Sequence, residues 1–369
     1  MQRPALLAIL ITLSACQSTP RERALAPVYR GETIEGILEL AAEGDVEAQI
    51  AAANFYYTGR DGLPEDRERA ARWFAAAAQA GSADAQYGLA VLLEQGEAGE
   101  RNEAEAADWY AEAAAQGHPE AAHNLALMRL EGRGGELDPR AGYALLDRAS
   151  RAGITEAQFA LAMALLEGRS IEPDPVRGVE LLRAAAEGGL PLAMAELASL
   201  YRTGEWVEAD PERAAKWMLR AAESGLGTAQ AAIGLMYLRG DGVDVDEELA
   251  AEWIQRAADQ GVPSAQGNLG FMHIQGRGVI KSDAEAARWL RLAADQGLAI
   301  AQTRLGTLYE LGRGVQTDTV VALMWYRLAA QQGESNAIQK LEALEQRAES
   351  SAIDESRSLA RTWLSLHGR

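Results

Sequence analysis

Glycine recurs along this chain with a fixed stride. Gly81, Gly117, Gly153, Gly189, Gly225, Gly261, Gly297 and Gly333 stand 36 residues apart without a slip, and Gly44 precedes Gly81 by 37. A period of that length marks a repeat architecture, in which one short supersecondary unit is stacked many times. It overrides the two or three globular domains that 369 residues would otherwise suggest. With each of these glycines as position zero, position four is Ala48, Ala85, Ala121, Ala157, Ala193, Ala229, Ala265, Ala301 and Ala337. Position fifteen is glycine from Gly59 to Gly312. Position twenty-eight is Trp109, Leu145, Leu181, Trp217, Trp253, Trp289 and Trp325, with Trp73 displaced by the extra residue of the first repeat. Eight repeats therefore occupy residues 44–332.

Each unit reads as two helices. In the sixth, Ala229, Ile233, Met236 and Tyr237 share one face of a first helix that Gly240 ends. A loop follows, and a second helix from Asp246 turns Ala250, Trp253, Ala257 and Ala258 toward its partner. Asp138-Pro139, Asp174-Pro175 and Asp210-Pro211 place a capping acceptor before a proline at the first helical position, and Ser282 with Glu285 suggests a capping box. Small residues at positions four and nine, such as Ala229 with Gly234, let helices approach closely.

One helix pair cannot bury its apolar face alone, so the pairs must stack. The expected fold is all-α, a right-handed α-solenoid superhelix of antiparallel helix pairs. Residues 31–43 supply an N-terminal capping helix. Residues 333–369 supply C-terminal capping helices, with Leu359, Trp363 and Leu366 as a final amphipathic stripe.

The repeating residues closely resemble the Sel1-like repeat family, a relative of the tetratricopeptide repeats with a longer loop between its helices. The pattern is complete in Ala229-Gln230, Gly234, Tyr237, Gly240-Asp241-Gly242-Val243, Asp246, Ala250, Trp253, Ala257-Ala258 and Gly261, and it returns in the seventh and eighth repeats. The second to fifth repeats depart from it in the loop. The resemblance implies a scaffold or adaptor that binds other proteins, and no reaction.

The amino terminus points to an address. Arg3 is followed by an apolar run over residues 5–13, the length of a secretory h-region and short of the ~20 residues that span a bilayer. Leu13-Ser14-Ala15-Cys16 follows, and it resembles the lipobox of bacterial lipoproteins, with Cys16 as the lipidated residue. Cys16 is the sole cysteine, which excludes an intrachain disulfide or a thiolate metal cluster. Residues 1–15 then form a lipoprotein signal peptide and residues 16–30 a flexible tether. Gln17 after the cysteine resembles an outer-membrane sorting signal, so the expectation is a lipid-anchored envelope protein facing the periplasm.

Chemistry is hard to find in this composition. A formal charge of -19 repels phosphate backbones and excludes nucleic acid as a partner. His118, His123, His273 and His367 lack metal-ligand spacing, and His273 falls where other repeats carry core tyrosines such as Tyr201 and Tyr237. The glycine pairs of the loops lack the Gly-Lys-Ser/Thr of a phosphate loop. Neither a metal, a cofactor nor a catalytic residue is expected.

Variation concentrates on one face of the first helices, at positions six, ten and thirteen. Tyr87, His123, Leu127, Leu130, Phe159, Met163, Leu166, Leu235 and Phe271 make this face largely apolar, an expected groove for a partner protein presenting an amphipathic helix or peptide. The acidic balance favours a basic partner. Two alternatives stay open: an accessory lipoprotein of exopolysaccharide export, which the family resemblance implies, and a peptidoglycan- or polysaccharide-binding module, for which Trp206 is the clearest exception to the repeat-core tryptophans.

Overall fold

The computed structural model describes residues 33–59, 63–97 and 99–367, so Cys16 and the expected tether lie outside the described residues. Among the described residues the regular structure is entirely helical. Helix α1 (Ile34–Glu43) precedes the repeats. The repeat pairs are α2 (Val46–Thr58) with α3 (Arg67–Gln79), α4 (Ala83–Gln95) with α5 (Glu103–Ala115), α6 (Pro119–Glu131) with α7 (Pro139–Arg151) and α8 (Thr155–Glu167) with α9 (Pro175–Glu187). They continue with α10 (Pro191–Thr203) and α11 (Pro211–Glu223), α12 (Gly227–Arg239) and α13 (Glu247–Asp259), α14 (Pro263–Gln275) and α15 (Asp283–Asp295), and α16 (Ala299–Leu311) and α17 (Thr319–Gln331). Helices α18 (Ser335–Glu345) and α19 (Ser350–Leu366) close the chain. The structure divides into two compact units, Met1–Ala193 and Met194–Arg369. Within each, consecutive helices pack in sequence order, the arrangement of an α-solenoid.

All sixteen repeat helices are 13 residues long, too short to persist alone, so packing must hold them. Their ends are set by side-chain chemistry. Asp66, Asn102, Asp138, Asp174, Asp210, Asp246, Ser282 and Asp318 each accept a hydrogen bond from the backbone N–H three residues on, which fixes the start of every second helix. Ser282 forms only half of the expected capping box. Its hydroxyl caps Glu285 N–H, but the Glu285 carboxylate turns outward to Arg288 at 3.1 Å.

Close approach at position nine follows the sequence. A Cβ on Gly234 would sit 2.6 Å from Ile254, and one on Gly270 2.7 Å from Leu290. The loop glycine two residues beyond each first helix's terminal glycine is held more tightly. Gly278, at φ +64°, would place a Cβ 1.8 Å from the carbonyl oxygen of Glu247 at the start of the preceding second helix, and Gly242 would place one 1.9 Å from that of Pro211.

A polar ladder also runs between repeats. In the second unit Gln230, Gln266 and Gln302 donate to the carbonyls of Ala222, Ala258 and Ala294, while Gln260, Gln296 and Gln332 donate to their side-chain oxygens at 2.8–3.0 Å. Each rung satisfies carbonyls that a helix end leaves open.

The C-terminal stripe is narrower than the sequence suggests. Trp363 is buried with Ser356 and Ala360 and meets Trp325 edge-on, with ring centroids 6.1 Å apart. Leu359 and Leu366 are 37% and 77% exposed. The edge of α19 that carries Ala360 and Trp363 packs with Trp325 of α17, and the rest of the stripe is exposed.

Candidate interaction surface

The apolar face of the first helices is closed at four of the nine expected residues. In α6 and α8, Leu127, Phe159 and Met163 are each 2% exposed and His123 is 9% exposed. Packing of the third and fourth repeats closes positions six and ten there, so these four residues belong to the interior rather than to an open groove. Tyr87, Leu130, Leu166, Leu235 and Phe271 are half-buried and line what remains accessible. Tyr87 stacks on His118 at 4.6 Å, and the Arg304 guanidinium lies 4.0 Å above the Phe271 ring.

The four histidines separate into distinct roles. His118 caps α6, its Nδ1 accepting from Ala121 N–H at 3.2 Å. Burial pulls the His123 imidazole down to about 4, so it is neutral near pH 7, and its Nδ1 has no hydrogen-bond partner among the described residues. His273 is half-buried rather than a core substitute. Its Nδ1 lies 3.0 Å from the Ile280 carbonyl, so the ring contacts the loop that follows its helix. His367 stacks on Trp363 at 4.1 Å. Among the described residues no group of histidine, aspartate and glutamate side chains is arranged to hold a metal ion.

A buried polar network ties the second repeat to the third. The Tyr110 hydroxyl donates to Glu94 at 2.8 Å and accepts from Asn124 at 3.1 Å, while Arg133 reaches the other Glu94 oxygen at 2.8 Å and also pairs with Glu131. Burial, reinforced by Glu94, raises the Tyr110 phenol well above its ordinary range. Every partner is satisfied within the network, which makes it a structural clamp.

One cavity is different. About 190 Å³ opens between α6, α7 and α8, walled by Leu130, Leu146, Ala160, Met163 and Ala164, with Tyr143, Glu167, Arg169 and Ser170 supplying polar atoms and Pro139 at the edge. Glu167 Oε2 pairs with Arg169 Nε at 2.5 Å, whereas Glu167 Oε1 is buried without a hydrogen-bond partner among the described residues. Burial raises the Tyr143 phenol, so it is a protonated donor near neutral pH. Leu130 and Met163 were legible as part of this surface. Glu167, Tyr143 and Ser170 were missed, although Ser170 stands where four other repeats place Gly134, Gly242, Gly278 and Gly314.

Residues 46–82, 83–118, 119–154, 155–190, 191–226, 227–262, 263–298 and 299–334 each match the Sel1 repeat, and the chain belongs to the Sel1 repeat family. A protective antigen of uropathogenic Escherichia coli strains that displays an SLR fold is 31% identical, with a TM-score of 0.80 over 90% of this chain and 71% of that one. A Sel1 repeat protein from Oxalobacter formigenes is 32% identical, with a TM-score of 0.63 over 86% of this chain and 92% of that one. No curated protein matches the chain. Sel1 repeats form non-catalytic scaffolds that mediate protein–protein interaction.

Proposed function

We infer that this protein is an envelope lipoprotein that holds a partner protein near a membrane surface through the first-helix side of its repeats, and that it carries out no reaction. The observation behind the scaffold role is the array itself: eight matched repeats span residues 46–334. Support for the address comes from Leu13-Ser14-Ala15-Cys16 behind a short apolar run. No helix among the described residues is long and apolar enough to cross a membrane, and a lipid at Cys16 is the proposed attachment. The net charge of -19 favours a partner with a basic face. Cell fractionation of Cys16→Ser tests the address. Loss of lipid labelling and release from the membrane fraction are expected, and unchanged membrane association would refute the anchor.

A further inference from the structure

The cavity beneath the fourth repeat's loop has an identifiable cause. At its loop position Gly242 touches the backbone of Pro211, and no side chain fits there, since a Cβ would lie 1.9 Å from the Pro211 carbonyl oxygen. The fourth repeat has a loop of the same length, Gly168 to Asp174, and again faces a proline, Pro139, across the cavity. At the matching position, however, it carries Ser170, a non-glycine residue held at φ +52°. A side chain there cannot make the close approach that glycine makes, and here Ser170 and Pro139 both line the cavity. Left-handed backbone at a non-glycine residue is strain that the fold tolerates, and such strain gathers at functional positions.

We propose that this cavity receives the indole side chain of a tryptophan from the partner protein, with the indole N–H donating to Glu167 Oε1. This deepens the scaffold reading and rests on it for the source of the indole. Size is the first argument. A dry cavity of about 150 Å³ holds benzene, so about 190 Å³ takes a larger ring. Chemistry is the second. The walls are aliphatic or thioether, and Met163 brings a sulfur that favours aromatic contact. The unpartnered buried atom is a carboxylate oxygen, an acceptor alone, and indole is a donor alone. A lysine side chain fits less well, because Arg169 already balances the Glu167 charge and the aliphatic wall would strip water from an ammonium group. Tryptophan is also among the residues that most often anchor interfaces.

Titration of the full chain with indole, followed by ligand-observed saturation-transfer NMR, tests this without any partner. Saturable binding with a Kd on the order of 1 mM or tighter is expected. 1-Methylindole, which lacks the donor, binds about tenfold more weakly. Two variants locate the site. Ala164→Leu fills the cavity and Ser170→Gly lets the loop close, so both abolish indole binding, and Ser170→Gly also raises the melting temperature. The proposal is overturned by equal binding of indole and 1-methylindole, by tighter binding of butylammonium, or by indole binding that survives both variants in folded protein. A chain that binds indole in this way but captures no protein in cells would refute the scaffold reading alone.

Discussion

Gly278→Ala should damage the second unit out of proportion to its size. The residue sits at φ +64°, where an L side chain costs roughly 1–2 kcal/mol. Its new Cβ would lie 1.8 Å from the Glu247 carbonyl oxygen and 2.5 Å from the carbonyl carbon, distances that only movement of the loop can relieve. Movement would pull Arg277 from Glu247, whose contacts are 2.8 Å long. That pair is about two-fifths exposed and contributes at most about 1 kcal/mol. Overpacking of a tight site costs about 1–3 kcal/mol, so the overall loss should be about 2–4 kcal/mol. Urea unfolding measures it, and hydrogen exchange should place the loosening in α13 to α15, around the loop and its contact. A variant within about 0.5 kcal/mol of the parent protein would show that the loop glycine is not a structural contact at all.

Two further outcomes follow from buried groups. His123 titrates at about 4 in the folded chain against an ordinary 6.5, so the unfolded chain binds more protons between those values. Its contribution is therefore intact above pH 6.5, falls as pH drops toward 4, and amounts to at most about 3 kcal/mol. Urea unfolding of the parent and His123→Leu from pH 7 to pH 4 should show a steeper decline in the parent, and parallel curves would contradict this. Trp253 is 7% exposed, and Trp253→Ala should cost about 3–5 kcal/mol. Because repeats contact only their neighbours, hydrogen exchange should rise around α12 to α15 and leave the residues before α10 unchanged.

Period and helix pairing were legible because the solenoid writes them eight times. One proline, aspartate or glycine at a fixed offset is weak evidence, but its recurrence is not. Accessibility was not legible in the same way. His123, Leu127, Phe159 and Met163 occupy positions that vary between repeats, and variation there reads as freedom from the core. In the structure these four side chains are buried by packing between adjacent repeats, whereas Tyr87, Leu235 and Phe271 at the same positions stay half-buried, a difference that no single repeat encodes. The cavity was hidden for a different reason. Ser170 looks like a mild departure from glycine until the backbone shows what glycine touches at that position in its sister repeats. The glutamine ladder left a trace, Gln230, Gln266 and Gln302 at one position, that pattern reading for apolar periodicity passes over. The exposed Trp206, at φ +64° and 51% accessible, occupies the same loop position as Ser170 and did stand out in the sequence.

The proposed function places a captured partner on the first-helix side of the repeats. Photo-crosslinking in intact cells tests it most directly, with the crosslinking amino acid placed in turn at Tyr87, at the cavity rim in place of Arg169, and at the solvent-facing Glu212 of α11. Glu212 is 79% exposed and serves as the control. The same discrete protein adduct from Tyr87 and Arg169, and none from Glu212, is the predicted result. Identical adducts from all three positions, or an adduct from Glu212 alone, would contradict it.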